Sequence, residues 1–138
     1  MPYIPHIFLT VDIILTRKLS AKSEVLLIQR ENEPFKNQWA LPGGFVDKGE
    51  DLEPAAKREL SEETSISIKS LTQFKTYGKP GRDPRGDTVS VVFYAEVDEN
   101  VTAKAADDAK DVRWFSMNDL PELAFDHAEI LADFILKH

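Results

Sequence analysis

The stretch from Gly44 to Ile66 constrains the chain most. It begins Gly-Phe-Val-Asp-Lys-Gly-Glu50 and, after seven further residues, continues Arg58-Glu-Leu-Ser-Glu-Glu-Thr-Ser-Ile66. The helix-permissive run Asp51–Thr64 predicts a helix directly after a glycine-bearing loop. Asp51 can cap its first turn, and Pro54 lies early enough to be tolerated there. Glu59, Glu62 and Glu63, spaced i, i+3, i+4, share one face, while Leu52, Ala56 and Leu60 line another. The apolar face has to be buried. The acidic face is relieved of its repulsion either by water, as a solvated surface, or by a hard cation that takes oxygen ligands. The preceding Gly43-Gly44 turn lets backbone carbonyls and a substrate approach closely.

Taken whole, this spacing resembles the box that defines the Nudix hydrolases: Gly, five residues, Glu, seven residues, Arg-Glu-apolar-any-Glu-Glu-any-Gly-apolar. Gly44, Glu50, Arg58, Glu59, Leu60, Glu62, Glu63 and Ile66 match, and Ser65 stands where the family has Gly. By average residue usage such a match arises by chance on the order of once in a hundred thousand chains. A glycine just past a helix end supplies a left-handed cap, and a serine there costs roughly 1 kcal/mol. The departure therefore touches stability and removes no ligand. Upstream, Trp39-Ala-Leu-Pro-Gly-Gly44 is similar to the family's approach to the box, with Trp39 expected in the core or pocket wall. Arg58, adjacent to Glu59, is expected to point away from the carboxylates and pair with Glu50.

The remaining chain reads as strands and one further helix. His6–Thr16, with Val11, Ile13 and Leu15 on one side, reads as a strand, and Glu24–Arg30 as one buried on both faces. Arg17–Ser23 reads as a polar turn between them. Ile66–Tyr77, Thr88–Val97 and Asp111–Phe115 follow as strands. The tail helix carries Asp126 and Glu129 as a capping pair and Ile130, Leu131, Phe134 and Ile135 as its buried stripe. This order, with the resemblance, implies an α+β fold, an α/β/α sandwich around a central mixed β-sheet, in one domain over residues 1–138.

Composition narrows the chemistry. The absence of cysteine excludes disulfides, thiolate metal sites and cysteine nucleophiles, and His6, His127 and His138 are too scattered for a histidine site. A net charge of -7 argues against nucleic acid as a partner. No apolar run approaches the roughly 18 residues of a membrane span, and Met1–His6 has no basic leader, so a cytoplasmic protein without a membrane partner is expected.

Two loops bear on specificity. Gly78–Asp87 holds three glycines and two prolines, which forbid regular structure. Its Arg82 and Arg85 are either solvated charges or forked donors to phosphate. The segment resembles that of the ADP-ribose pyrophosphatases of the Nudix superfamily, in which a proline past the box, here Pro80, is associated with the subgroup. Asp87 stands where many such sequences have histidine. The acidic stretch Asp98–Lys110 lies where the family places an extra carboxylate, which makes Asp107 or Asp108 the candidate, with Glu99 behind them. Leu-Ala-Phe-Asp-His127 also recurs in that subgroup, and His127 reads as a capping or surface residue beside the site.

The resemblance implies Mg²⁺-dependent hydrolysis, with Mn²⁺ as an alternative ion, of a nucleoside diphosphate linked to another group. ADP-ribose, giving AMP and ribose 5-phosphate, heads the list; other nucleotide sugars, dinucleotides and oxidised nucleoside triphosphates follow. Glu59 and Glu63 would be metal ligands, Glu62 a ligand or the base, and the Gly43 or Gly44 carbonyl would complete the coordination. Arg82, Arg85 and Pro80 would contact substrate, and Tyr3, Phe8 or Phe35 would stack the base. A non-catalytic nucleotide-sensing domain is the competing class. Retention of all three glutamates in a chain ending at His138 with net charge -7 favours the enzyme. Dimerisation is left open.

Overall fold

Strand β1 (Phe8–Leu19) is the centre of the molecule because it is apolar on both faces, with Val11, Ile13, Ile14 and Leu15 fully buried. The computed structural model describes residue 3 and residues 5–138; Met1, Pro2 and Ile4, part of the start read as lacking a leader, lie outside the described residues. Around β1 are β2 (Lys22–Arg30), β3 (Trp39–Ala40), β4 (Gly43–Phe45), β5 (Thr72–Tyr77), β6 (Thr88–Glu96) and β7 (Ala109–Ser116). The sheet runs β3-β2-β1-β6-β5, with β4 also on β1 and β7 also on β2. β1 pairs with β6 in parallel and the other ladders are antiparallel, so the sheet is mixed.

Helix α1 (Leu52–Thr64) and helix α2 (His127–Lys137) cover opposite faces. The period-2 alternation of the strands assigns them: Val11, Ile13, Leu15, Leu26 and Phe93 pack with Ala55, Ala56 and Leu60 of α1. Their neighbours Ile14, Val25, Leu27 and Val92 pack with Ile130, Leu131 and Phe134 of α2. The expected α/β/α sandwich is therefore present. Among the described residues, no helix is long and apolar enough to cross a membrane.

Three expectations need correction. The polar turn shrinks to Ser20-Ala21, both at positive φ, because Arg17 and Glu24 pair across an extended β1–β2 ladder through a 2.8 Å ion pair; two such residues give the turn whose twist suits a hairpin. The strand expected from Ile66 begins only at Thr72; Ile66 and Ile68 instead pack into the α1-side core. In α2, Ile135 is exposed, and Asp126 makes no side-chain capping bond, since its carboxylate is taken by Arg82.

Asp51 caps α1 by accepting from the Leu52 N–H at 2.7 Å, and the helix ends on Ser65 in the left-handed conformation, φ 64°. Ser65 recovers part of that strain through its hydroxyl, which donates to the Lys104 carbonyl at 3.0 Å. Ser65→Gly should raise stability by roughly 0.5 kcal/mol, about 1 from relieved backbone strain less about 0.5 from the lost hydrogen bond, and Ser65→Val should lower it by more than about 1. Urea unfolding tests this, and equal midpoints for all three proteins would rule it out.

Candidate functional site

Where α1 meets β4, a cavity of about 250 Å³ opens. Glu59 and Glu63 face it from α1, Asp12 from β1, Gly43 and Gly44 from β4, and Asp107 and Asp108 from the loop before β7. Arg82, Asp83 and Arg85 enter from the β5–β6 loop, and Phe125 and His127 from the start of α2. Of the expected carboxylate, glycine and loop residues, Glu62 and Pro80 do not line this cavity.

The glycines are demanded by close approach. A Cβ on Gly44 would lie 2.5 Å from a Glu59 carboxylate oxygen, and one on Gly43 would strike the Val11 carbonyl and the Asp12 carboxylate. With the side chains absent, the Gly43 N–H donates to Glu63 Oε1 at 2.9 Å. Glu63 is 6% exposed. Burial pushes its carboxyl up to about 8, with Glu59, Asp12 and Asp108 adding to the effect and the Gly43 hydrogen bond opposing it. Burial raises Glu59 as well, against the pull of Arg58.

Arg58 does not point away from the carboxylates. Its Nε and Nη2 fork onto Glu50 at 2.7 and 2.9 Å, and Nη1 reaches Glu59 at 2.9 Å and Glu62 at 2.8 Å. It thus ties the loop before the helix to two of the three glutamates. These hydrogen bonds hold the Glu50 carboxyl down at about 2. Glu62 therefore lies on the flank of the helix, bound to Arg58.

The two loop arginines are already engaged. Arg82 forms a fork on Asp126 at 2.6 and 2.9 Å, its side chain 4% exposed. Arg85 pairs with buried Asp83 at 2.8 Å and lies between the Phe45 and Phe125 rings, 4.9 and 5.1 Å from their centroids. Arg30, which also lines the cavity, has no carboxylate in ion-pair range among the described residues. It stacks over Phe125 at 5.0 Å. Tyr3, Phe8 and Phe35 do not line the cavity, whereas Phe45 and Phe125 do; Phe8 and Phe35 pack edge-on behind those two rings.

Sequence reasoning missed Asp12 and misjudged His127. Asp12, 8% exposed, interrupts the apolar run of β1 and accepts the Ser90 hydroxyl; a charge in the centre of a buried strand was the available signal. His127 is neither a cap nor a surface residue but is 3% exposed. Its Nδ1 accepts the Leu41 N–H at 3.0 Å.

Could a divalent cation be held here? The donors are carboxylate and carbonyl oxygens, the set that hard cations take. The buried Glu63 has hydrogen-bond help from Gly43 but no cationic side chain in ion-pair range among the described residues. Among the described residues no three acidic or histidine side chains converge into a finished cage, so water or substrate oxygens would complete the shell, as is usual for Mg²⁺. The residues fit such an ion.

Residues 7–134 match the NUDIX domain. The chain is 47% identical over 113 residues to the ADP-ribose pyrophosphatase of Methanocaldococcus jannaschii, covering 82% of this chain and 66% of that protein. It is 36% identical over 131 residues to the ADPR responsive transcriptional repressor NtrR of Acinetobacter baylyi, covering 92% of this chain and 52% of the repressor. The chain thus spans between half and two thirds of these relatives. Among solved structures it is similar to a bifunctional NMN adenylyltransferase/ADP ribose pyrophosphatase from Francisella tularensis, complexed with AMP and a manganese ion. That match has a TM-score of 0.85 and 32% identity over 99% of this chain and 43% of that one.

The raised Glu63 carboxyl has a consequence for stability without metal. Because its folded value of about 8 exceeds the ordinary 4.5, its contribution is complete below pH 4.5 and is lost as pH rises towards 8. In chelator, the urea midpoint should fall from pH 5 to 8. Glu63→Gln should flatten this fall and be more stable than wild type at pH 8 by about 2–4 kcal/mol. Parallel pH profiles for the two proteins would contradict the assignment.

Proposed function

Because the chain belongs to the NUDIX domain family, we propose that its cavity hydrolyses a nucleoside diphosphate linked to a second group. The leading reaction is ADP-ribose plus water giving AMP and ribose 5-phosphate. The observation that carries this reading is the pair of half-buried Glu59 and buried Glu63, beside a glycine turn and facing a cavity that also holds arginine and aromatic side chains. The similarity to two ADP-ribose pyrophosphatases supports the substrate. Residues 1–138 form the hydrolase domain, acting in the cytoplasm on a small nucleotide.

A divalent cation, Mg²⁺ with Mn²⁺ as alternative, would neutralise charge on the diphosphate and make water more acidic. Glu59 and Glu63, with the Gly43 or Gly44 carbonyl, would hold it, and Asp107 or Asp108 would add a carboxylate from the loop before β7. Glu62 has to release Arg58 to act as a ligand or as the base, so its part is subordinate to that of Glu59 and Glu63. Arg58 fixes the rotamer of Glu59 and the entry of the helix. Arg30 and Arg85 offer N–H groups to the phosphates. Arg82, forked onto Asp126 through Nε and Nη2 with its side chain 4% exposed, shapes the wall, and Pro80 restrains the loop that carries both Arg82 and Arg85. Phe45 and Phe125 are better placed than Tyr3, Phe8 or Phe35 to meet the base.

The similarity to the Acinetobacter repressor favours a second reading: binding of ADP-ribose without turnover, in a protein with a nucleic-acid partner. Other nucleotide sugars, dinucleotides and oxidised nucleoside triphosphates are the alternative substrates. A panel of these with ADP-ribose and Mg²⁺ separates the readings. ADP-ribose should give the highest kcat/KM, and Glu59→Gln and Glu63→Gln should each lose about 10²-fold or more in kcat. Preference for another compound would overturn the substrate, and ADP-ribose binding with no hydrolysis would overturn the enzyme.

A further inference from the structure

We propose that His127 is a positioning residue, its Nδ1 lone pair clamping the Leu41–Gly44 turn so that the backbone N–H of Gly43 stays aimed at Glu63. The inference rests on reading the cavity as the hydrolytic site and adds a residue of α2 to its machinery.

The Leu41 N–H donates to His127 Nδ1 at 3.0 Å in a buried setting, so Nδ1 carries no proton. The neutral ring then bears its proton on Nε2. Nε2 faces Asp12 Oδ1 at 3.7 Å, too long for a direct hydrogen bond, so that contact is electrostatic. Asp12 is in turn fixed by the Ser90 hydroxyl and lies opposite Gly43 in the β1–β4 ladder. One imidazole therefore binds the link between β3 and β4 and faces Asp12 of β1, on either side of the Gly43 N–H, which donates to Glu63 at 2.9 Å.

A buried imidazole needs polar partners in any role; what marks His127 is that its partners lie next to the backbone that serves Glu63. Here the ring is held in place independently. The backbone turn before it is pinned where the Ala124 N–H donates to the Trp39 carbonyl at 2.8 Å, and Asp126 is locked to Arg82. α2 and the segment Trp39–Gly44 are thus joined at two points, Ala124 to Trp39 and His127 to Leu41, and the second lies two residues before the glycine that serves Glu63.

Asparagine places an acceptor near Nδ1 and lacks the Nε2 donor; glutamine places its amide near Nε2 and leaves Nδ1 without a substitute. Hydrogen exchange at the Leu41 amide in metal-free protein, with the Val92 amide as reference for global opening, reads the clamp without any turnover. His127→Asn should keep Leu41 protected within about threefold, whereas His127→Gln should lose at least about tenfold there while Val92 is unchanged. Steady-state hydrolysis of ADP-ribose should follow: kcat near wild type for asparagine and lowered about tenfold or more for glutamine, with KM within threefold in both. Rescue by asparagine alone supports the proposal. Equal Leu41 exchange in the two variants, loss at Leu41 matched by loss at Val92, or a kcat indifferent to Leu41 protection overturns it. If no variant and no wild type turns over any nucleotide, the hydrolase reading has failed, and the exchange pattern alone decides the clamp.

Discussion

Keeping the Glu63 carboxylate out of water is the constraint on which the site depends. A helix that packs Ala55, Ala56 and Leu60 against the sheet brings Glu63 to the same strands, and desolvation of that group is costly unless partners are supplied. The molecule supplies the backbone N–H of residue 43, where the nearby Val11 carbonyl leaves no room for a side chain. It supplies Arg58 to the neighbouring Glu59 and Glu62, leaving Glu63 as the acidic group without such relief. Arg58 thus compensates one carboxylate that faces the cavity, Glu59, and one that does not, Glu62, while Glu63 takes up a proton more readily than an ordinary carboxylate.

The box was legible because it is local. A helix with an apolar face, a cap at Asp51, a left-handed end at Ser65 and glycines ahead of the acidic face are all set within about twenty residues of sequence, and α1 was read to within a residue of its ends. The sheet order was less legible, because pairing of β1 with β6 leaves no local trace. Arg58 was misjudged on the rule that adjacent residues do not share a helix face, which bears only on Glu59; Glu62 lies at i+4, on the same side of the helix as Arg58, and the long side chain reaches Glu59 as well. Arg82 and Arg85 were recognised as important, yet the carboxylates that engage them, Asp126 and Asp83, were not. One of those partners is 44 residues away in the chain, beyond any spacing rule. Asp126 was assigned to a cap because capping is the commoner use of an aspartate at that position, and its ion pair with Arg82 prevailed over it.

The parallel ladder between β1 and β6 joins residues 80 positions apart, from Phe8 with Thr88 to Thr16 with Glu96. Closing so long a loop costs entropy that no nearby contact returns, which places the step late in assembly. During synthesis, the whole of α1 and its glutamates leave the ribosome before β6 does. Ser90, the hydroxyl that anchors Asp12, arrives with that strand, and His127 later still. The nascent chain therefore carries its acidic helix in an open state, and the pocket acquires its final shape only when the last quarter of the sequence has folded onto the first.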